Sequence, residues 1–386
     1  MLALACALGV PACVTTKAPA TSPIILRASD DEERVQAAFA AAKDGQRIAL
    51  GPGRFRLRST LALTASDVVV RGAGRDATIL DFADQVAGSE GVFVASKARV
   101  TLEALSVVDA RGDGIKALGI DGLVMRDLGV GWSGEPQVHG PYGLYPVDAK
   151  HVLIEDCVVT GASDAGIYVG QSSNAVVRRN DVHGNVAGIE IENSSFVDVH
   201  DNRAHDNSAG ILVFDLPGLP RKNGHDVRVH HNAVVHNDVE SFAAEGSVVG
   251  LVPRGTGILV MATTGVDIFA NRIADNATFG VAVVSYLVTR RRIDDPAYDP
   301  HPSRVSIHDN VFSGGGHSPD PKSELVEPLR RIATDLPGRR VPAIVYDGER
   351  SDPRALCVRD NGAAKVLTLS PAISLDARAY DCAGDR

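Results

Sequence analysis

The chain has 386 residues, of which 44% are hydrophobic and 5% aromatic, with 38 glycines and 20 prolines. A chain of this length holds either one large domain or a few small ones, so an internal repeat is needed to decide the architecture. The formal net charge of −9 at pH 7 argues against binding to a phosphate backbone as the main task. We therefore expect no nucleic-acid partner.

Residues 1–14 are almost wholly apolar and too few to span a membrane as a helix. They are typical of the hydrophobic part of an export signal, although the usual basic start is missing. Val10–Cys13 matches a lipoprotein processing site in part, so the sequence leaves open whether the signal ends near Cys13 at a lipid-bearing cysteine. Residues 15–30 are predicted to form a tether. We expect an exported protein, in the periplasm or at the outer membrane or cell surface, that touches a membrane only through such a lipid.

Residues 31–64 are predicted to form an N-terminal helix and cap. Within them, Asp31–Lys43 has the pattern of an amphipathic helix, because Val35, Phe39 and Ala42 fall on one face. A helix of this kind can cover the open end of a repeat array.

The centre of the chain repeats itself with a period of 22 residues. Gly166, Gly188 and Gly210 each begin a short alternating apolar strand, and Asn180 and Asn202 follow a second strand in step. Short strands separated by glycine and asparagine at this period predict a β-solenoid in which each coil adds one strand to each of several parallel sheets. A leucine-rich repeat is excluded because the units have neither regular leucines nor a helical half.

The solenoid is predicted to run from residue 65 to residue 362 in about nine or ten coils, with a C-terminal cap or tail at residues 363–386. We expect Ile167, Ile189 and Ile211 to form one interior stack, and Asn202 to be buried in an asparagine ladder. We expect a monomer. Cys357 and Cys382 could pair in an oxidising compartment, and the sequence leaves this open.

Three central segments resemble the bacterial parallel β-helix repeat-containing proteins, which are pectate-lyase-like and related to the carbohydrate-binding and sugar-hydrolase (CASH) domains. The segments are GLYPVDAKHVLIEDC, GIYVGQSSNAVVRRN and GIEIENSSFVDVHDN. The resemblance covers roughly Asp31 to Asn361 and implies an all-β, single-stranded, right-handed parallel β-helix. Wider relatives include pectate lyases, polygalacturonases and mannuronan C5-epimerases, so the resemblance implies a polysaccharide partner. No complete catalytic motif of these enzymes is present, and fold does not fix function.

Aligning the glycine-led strands predicts a site on the outward face of one sheet. Tyr145, Tyr168, Glu190 and Glu192 fall on outward positions of three consecutive coils, where a solvated face would scatter its charges. Four interruptions of the repeat are predicted to form walls beside them: Val130–Pro141, Leu216–Gly224, Val239–Thr256 and Leu287–Pro302. The candidate catalytic residues are Glu190, Glu192, Asp215, His139, Tyr145 and Arg254. The candidate substrate-binding residues are Tyr142, Tyr145, Tyr168, Trp132 and Phe214.

Two enzymatic hypotheses and one non-enzymatic hypothesis remain open. A uronate lyase or epimerase would use His139 or Tyr145 as base or proton donor, Arg254 as neutraliser, and Glu190 with Glu192 as calcium ligands. A glycoside hydrolase would use two carboxyl groups among Glu190, Glu192 and Asp215. The alternative is a glycan-binding or structural β-helix of the cell envelope.

Each candidate also has a purely structural interpretation. The tyrosines could form an exposed ladder, the two glutamates could be solvated on a surface strand, and Trp132 could anchor its loop. The stacked histidines of another sheet, among them His183 with His205 and His200 with His230, are expected to be solvated surface and not metal ligands.

Overall fold

The computed structural model describes residues 22–349, 354–375, 380 and 382. In these ranges the chain forms two α-helices, α1 (Glu32–Ala40) and α2 (Glu327–Asp335). The strands in chain order are β1 (Ile24–Leu26), β2 (Arg47–Leu50), β3 (Gly53–Arg56), β4 (Ser59–Leu63), β5 (Val68–Arg71), β6 (Thr78–Asp81), β7 (Ala87–Val94), β8 (Ala98–Val108), β9 (Ile115–Leu118), β10 (Asp121–Gly131), β11 (Tyr142–Val147), β12 (Lys150–Glu155), β13 (Val158–Thr160), β14 (Ala165–Gly170), β15 (Ser173–Arg178), β16 (Asp181–His183), β17 (Ala187–Glu192), β18 (Ser195–His200), β19 (Arg203–His205), β20 (Ala209–Phe214), β21 (His225–His230), β22 (Ala233–Val235), β23 (Thr256–Met261), β24 (Thr264–Phe269), β25 (Arg272–Ala274), β26 (Phe279–Val284), β27 (Ser303–His308), β28 (Val311–Ser313), β29 (Ile344–Tyr346), β30 (Leu356–Arg359) and β31 (Val366–Thr368).

The strands stack into three faces of a parallel β-helix. Face I is an eleven-stranded sheet of β4, β7, β9, β11, β14, β17, β20, β23, β26, β29 and β31. Face II runs through β1, β2, β5, β8, β10, β12, β15, β18, β21, β24, β27 and β30, and face III through β3, β6, β8, β10, β13, β16, β19, β22, β25 and β28. The long strands β8 and β10 bend across faces II and III. Among the described residues face I therefore marks eleven coils, against the predicted nine or ten.

The interior consists of aligned aliphatic side chains, as the alternation predicts. Ile167 pairs with Ile189, and Ile189 with Ile211, and all three are fully buried. β-Branched residues suit this pleated surface because their stiff side chains pack on the equivalent residue of the next coil. The predicted stack is confirmed.

Two asparagine ladders run along the helix at its bends. The first is Asn180, Asn202, Asn232, Asn271, Asn310 and Asn361, and the second is Asn185, Asn207, Asn237 and Asn276. In the first ladder, the Asn202 carboxamide oxygen accepts from the backbone N–H of Asn180 at 3.1 Å, and its Nδ2 donates to the carbonyl of Val177 at 2.9 Å. The ladders thus pair main-chain groups that the bends leave without a strand partner. The predicted burial of Asn202 is confirmed.

The repeated glycines of face I are explained by close approach of neighbouring coils. A Cβ atom added to Gly188 would lie 2.7 Å from the carbonyl oxygen of Gly210, too close for any side chain. Backbone contact between neighbouring coils therefore requires glycine at this position of each coil, which is why glycine recurs every 22 residues.

The N-terminal end differs from the predicted boundaries. Helix α1 begins after the N-cap Asp31, whose side chain accepts from the backbone N–H of Arg34, and buries Val35 and Phe39. Strand β1, however, lies within the predicted tether and pairs in parallel with β2, so the sheet starts before the helix. The predicted export signal lies outside the described residues, as does the tether up to residue 21. No helix in the described part of the chain is long and apolar enough to cross a membrane.

The C-terminal end also holds more structure than predicted. Strand β31 adds a coil inside the predicted tail, and a long insertion between β28 and β29 contains α2. The sequence does not reveal this insertion, because the repeat is already irregular there. Cys357 and Cys382 form a disulfide that ties the last described residue to β30.

Candidate functional site

The outward side of face I brings the predicted tyrosines and glutamates together. Tyr168 pairs with Glu190 of the next coil, and Gly170 pairs with Glu192. Leu144 pairs with Ile167, which places Tyr145 beside Tyr168. The register expected from the glycine spacing is therefore the register of the structure, and these four side chains share one surface about 4.8 Å apart per coil.

Gly170 shapes this surface by leaving room for the ring of Tyr168. A Cβ at Gly170 would lie 2.4 Å from Cε1 of Tyr168, so the ring lies across the glycine. The Tyr168 hydroxyl consequently reaches diagonally to the next coil and donates a hydrogen bond to the carboxyl group of Glu192. A side chain at position 170 would prevent this contact.

Both glutamates are buried rather than solvated. Glu190 is 1% exposed and Glu192 is 5% exposed. Burial, and then the nearby carboxyl group of Asp164, raise the pKa of Glu190 well above its ordinary value. The same two causes, joined by Asp215, raise the pKa of Glu192 to about 7. Within the described residues, Oε1 of Glu190 has no hydrogen-bond partner.

Two further acids join this cluster that the sequence reasoning missed. Asp164 lies at the corner before β14, accepts from the Tyr142 hydroxyl at 3.4 Å, and has its pKa raised to about 7 by burial. Asp113 precedes β9 on the same edge, and burial raises its pKa to about 6 despite the ammonium group of Lys116 at 3.4 Å. The sequence could have pointed to Asp113 and Asp164, because each comes just before a strand that begins with the repeated glycine. Only the positions after each glycine entered the register comparison.

The tyrosines form a compact group at the edge of the acids. The ring centroids of Tyr142 and Tyr145 lie 4.5 Å apart, and those of Tyr142 and Tyr168 lie 4.7 Å apart. The Lys116 ammonium sits 4.9 Å from the centroid of Tyr145. Burial and the surrounding carboxyl groups raise the pKa of Tyr142, and raise that of Tyr145 to about 12. Both hydroxyls are therefore proton donors at neutral pH, and Tyr142 and Tyr145 are the half-buried, accessible rim of the site.

The predicted insertions cover face I instead of leaving an open groove. Phe242 and Ala243 of one insertion and Leu216 of another pack against the apolar cluster that contains Tyr168 and Phe214. From a third insertion, the Tyr298 hydroxyl donates to the carbonyl of Asp215 at 2.7 Å. This cover is why the two glutamates are buried although their strand faces outward.

Asp215 closes one of these insertions. Its carboxylate accepts from the backbone N–H of Gly224 at 2.6 Å and from the Thr263 hydroxyl at 3.3 Å. Burial raises the pKa of Asp215 to about 6, and these hydrogen bonds oppose the shift. Asp215 thus fixes the loop of residues 216–224 at the end of β20, the strand that pairs with the Glu192 strand β17.

His139 and Trp132 lie at the opposite wall. Nδ1 of His139 is 2.8 Å from the carbonyl oxygen of Gly161, which can only accept, so Nδ1 carries the hydrogen. Nε2 of His139 is buried and has no partner among the described residues. The Trp132 indole N–H donates to the carbonyl of Ala110 at 2.6 Å, so this ring anchors its loop. The Phe242 ring meets the His139 ring edge-on, with centroids 6.2 Å apart.

The structure places Arg254 away from the glutamates. Its guanidinium pairs with Asp238 at 2.6 Å, and its backbone N–H donates to Asp320. It precedes β23, two coils from the strand β17 that carries both glutamates, or roughly 10 Å along the axis. The cation that contacts the acidic cluster is Lys116, through Asp113.

The fold and the site together define a right-handed parallel β-helix protein with a buried acidic cluster beneath a tyrosine rim. A family model described as a right handed beta helix region matches residues 68–219. No curated protein gave a significant match.

Solved structures with the same fold include two A-modules of mannuronan C-5 epimerases from Azotobacter vinelandii. One is 17% identical with a TM-score of 0.56, over 87% of this chain and 94% of the module. The other is 15% identical with a TM-score of 0.50, over 90% of this chain and 93% of the module. The catalytic unit of an α-1,3-glucanase from Streptomyces thermodiastaticus is 14% identical with a TM-score of 0.50, over 88% of this chain and 52% of that unit. At these identities the likeness shows the fold.

Proposed function

We propose that this protein is a carbohydrate-active enzyme that binds a polysaccharide against the tyrosine rim of face I and processes it with the buried carboxyl cluster. The carrying observation is that Glu190 and Glu192 are buried side by side on one strand, with Oε1 of Glu190 left without a partner among the described residues. Burial raises the pKa of Glu190 well above its ordinary value and the pKa values of Glu192 and the neighbouring Asp164 to about 7. A carboxyl group that holds its proton near neutral pH is suited to general acid catalysis. The epimerase and glucanase named above act on polysaccharides, which supports the substrate class.

Hydrolysis of a glycosidic bond is the reaction that this arrangement supports best. Glycoside hydrolases use one protonated and one ionised carboxyl group on either side of the bond. Glu190, whose pKa burial raises well above its ordinary value, would hold its proton at neutral pH and donate it to the leaving oxygen. Glu192, which accepts the hydrogen bond of the Tyr168 hydroxyl, would be the ionised carboxylate that attacks the sugar or activates a water molecule. The aromatic faces of Tyr142 and Tyr145 suit the apolar faces of sugar rings.

A second candidate is lyase or epimerase chemistry on a uronate polymer with a divalent cation. The unpartnered Oε1 of Glu190 and the carboxyl oxygens of Glu192 on the same strand are ligands of the kind that calcium prefers. Glu190 and Glu192 would hold the ion, and when bound it would neutralise the uronate carboxylate. Tyr145 would then return a proton to the sugar from the rim. Nε2 of His139, buried and without a partner among the described residues, would be the acceptor for a proton taken from the sugar.

Because the insertions cover the carboxyl groups, they would have to move before a substrate could reach them. Glu190 is buried, whereas Tyr142 and Tyr145 are partly exposed, so a sugar chain would first contact the rim. Displacing Phe242 from its place beside His139 would then open the carboxyl cluster. Closure of such loops over a bound chain excludes water from the reacting groups.

The decisive experiment screens the full chain against a panel of neutral and uronate polysaccharides. Release of reducing ends without unsaturated products indicates hydrolysis, and ultraviolet absorbance of unsaturated uronates indicates a lyase. Glu190→Gln should lower turnover about tenfold or more, equivalent to about 1.4 kcal/mol, without lowering the melting temperature, because glutamine keeps the shape and removes a group whose burial opposes ionisation. The matched control is Asp267→Asn on face II, whose Oδ1 can still accept from His308. Equal behaviour of the two variants toward an active substrate would contradict the proposal.

The non-catalytic alternative is glycan binding or assembly within the cell envelope. Saturable binding of a panel member that Glu190→Gln weakens, with no product over long incubation, would favour it. Binding that neither Glu190→Gln nor Tyr145→Ala alters would remove face I from consideration.

We also propose that the protein is exported and acts as a monomer in the periplasm or at the cell surface. The Cys357–Cys382 disulfide supports this location, since disulfides persist in oxidising compartments. Mass spectrometry of the cell-derived protein should find a mature chain that begins near Cys13. An intact Met1 on a cytoplasmic protein would contradict export, and light scattering tests the monomer.

A further inference from the structure

Face III carries a cluster of two histidines and an aspartate on a different sheet from the acidic site of face I. Asp181 and His183 lie on β16 and point outward two residues apart, and His205 lies beside His183 on β19. One oxygen of Asp181 is 2.8 Å from Nε2 of His205 and 3.3 Å from Nδ1 of His183. The two imidazole rings are stacked, with centroids 4.9 Å apart.

Both ring nitrogens of His205 face carboxylate oxygens. Its Nε2 meets Asp181, and its Nδ1 meets a carboxylate oxygen of Asp206 at 2.5 Å. A neutral imidazole has one N–H, and both neighbours are acceptors. One of the two contacts therefore needs either a second proton on the ring or a cation between nitrogen and carboxylate. His183 directs a third donor atom at the same oxygen.

We propose that Asp181, His183 and His205 bind a divalent transition-metal ion such as Zn²⁺. One ligand atom from each residue lies within 4.8 Å of the others. Ligands 2.0 to 2.1 Å from a tetrahedral zinc ion are roughly 3.3 Å apart, close to the spacing already present. Imidazole nitrogens with one carboxylate oxygen are the ligands that zinc, copper and nickel prefer.

The surroundings supply the second layer of a metal site. With the ion on Nε2, His205 donates its Nδ1 hydrogen to Asp206, the carboxylate–histidine–metal arrangement that orients such ligands. The His205 side chain is 10% exposed, whereas those of Asp181 and His183 are 41% and 38% exposed. The ion would reach its ligands from solvent and keep a position for water. The guanidinium of Arg203 lies 4.0 Å from the second oxygen of Asp181 and would have to move away when a metal ion binds.

The chain offers a matched control on face II. His308 also lies between two carboxylates, with Nε2 3.0 Å from Asp267 and Nδ1 2.7 Å from Asp309. Its stacked neighbour, however, is Phe269, which cannot ligate a metal. If bridging two carboxylates were enough to bind an ion, both histidines would behave alike.

The test titrates untagged, metal-free full chain with Zn²⁺, and with Co²⁺ as a coloured probe. Wild type should bind with saturation, show the visible bands of four-coordinate Co²⁺, and gain thermal stability with Zn²⁺. His183→Ala and Asp206→Asn should each weaken binding by about tenfold or more, whereas His308→Ala should not. His183→Gln gives the same readout if the alanine variant folds poorly. Absence of saturable binding, or equal losses in His183→Ala and His308→Ala, would overturn the site.

Discussion

Replacing Asn202 by alanine probes how the β-helix satisfies its main chain at the bends. The side chain takes part in four hydrogen bonds: it accepts from the backbone N–H and Nδ2 of Asn180, and donates to the Val177 carbonyl and to Asn232. All of these groups are buried, so water cannot replace the missing partner without entering the coil.

The magnitude follows from these bonds. A typical hydrogen bond contributes a net 0.5 to 1.5 kcal/mol, so four lost bonds give about 2 to 6 kcal/mol. Nδ2 of Asn180 keeps its bond to the Ile154 carbonyl, which lowers the expected loss. We therefore expect Asn202→Ala to reduce the free energy of unfolding by about 3 kcal/mol, since the backbone N–H of Asn180 stays buried without its acceptor.

Urea denaturation followed by circular dichroism measures this loss as a lower midpoint at unchanged slope. The control is Asn223→Gly, which removes an exposed amide from a residue with a φ of 59° that glycine adopts freely. This variant should stay within about 0.5 kcal/mol of wild type. If Asn202→Ala unfolds at the wild-type midpoint, the ladder does not stabilise the bends and the reasoning fails.

Two further predictions concern face I. Gly170→Ala should displace the Tyr168 ring from Glu192, because the new Cβ would lie 2.4 Å from Cε1 of that ring. The melting temperature should therefore fall, and turnover should fall to that of Tyr168→Phe. Retained wild-type turnover in both variants would show that this hydroxyl has no role. The pKa values of Asp164 and Glu192, raised to about 7 from 3.8 and 4.5, mean that the folded state holds these protons more tightly. Their stabilisation is full below the unfolded values and is lost as pH rises through about 7, so the free energy of unfolding should fall from about pH 4 to about pH 7. Asp164→Asn should flatten that fall, and an identical pH profile would contradict the assignment.

Much of the fold could be predicted because each coil of the solenoid repeats the same residue types at the same spacing. The 22-residue spacing fixed which isoleucines stack and which asparagines form ladders, since each coil repeats one set of contacts. The same register placed Tyr168 beside Glu190 correctly. Properties that repeat from coil to coil are local, and a single sequence displays them.

Burial of the site could not be predicted, because it depends on the insertions. Whether Glu190 is solvated or covered is decided by where Phe242 and Leu216 pack, and nothing periodic describes those loops. His205 shows the same difficulty: it was expected to be solvated, yet it is buried against its neighbour's ring and two carboxylates. Asp113 and Asp164, by contrast, lie one and two residues before the glycines of their strands, where the repeat itself marks the corner of the coil.

The columns of face I show that the acids are not required by the fold. The position of Glu190 is occupied in the following coils by Leu212, Leu259 and Ala282, and all three are buried. The position of Glu192 likewise continues as Phe214 and Met261. Apolar side chains therefore fit here, and a buried polar group without a hydrogen-bond partner costs about 1 to 3 kcal/mol. A chain that carries two adjacent glutamates where its own repeat uses leucine and phenylalanine, with one oxygen left unpartnered, sacrifices stability at this one place. Such local conflict with an otherwise consistent pattern is typical of functional sites, and it is the reason for assigning function to Glu190 and Glu192 ahead of the many exposed charges of the chain.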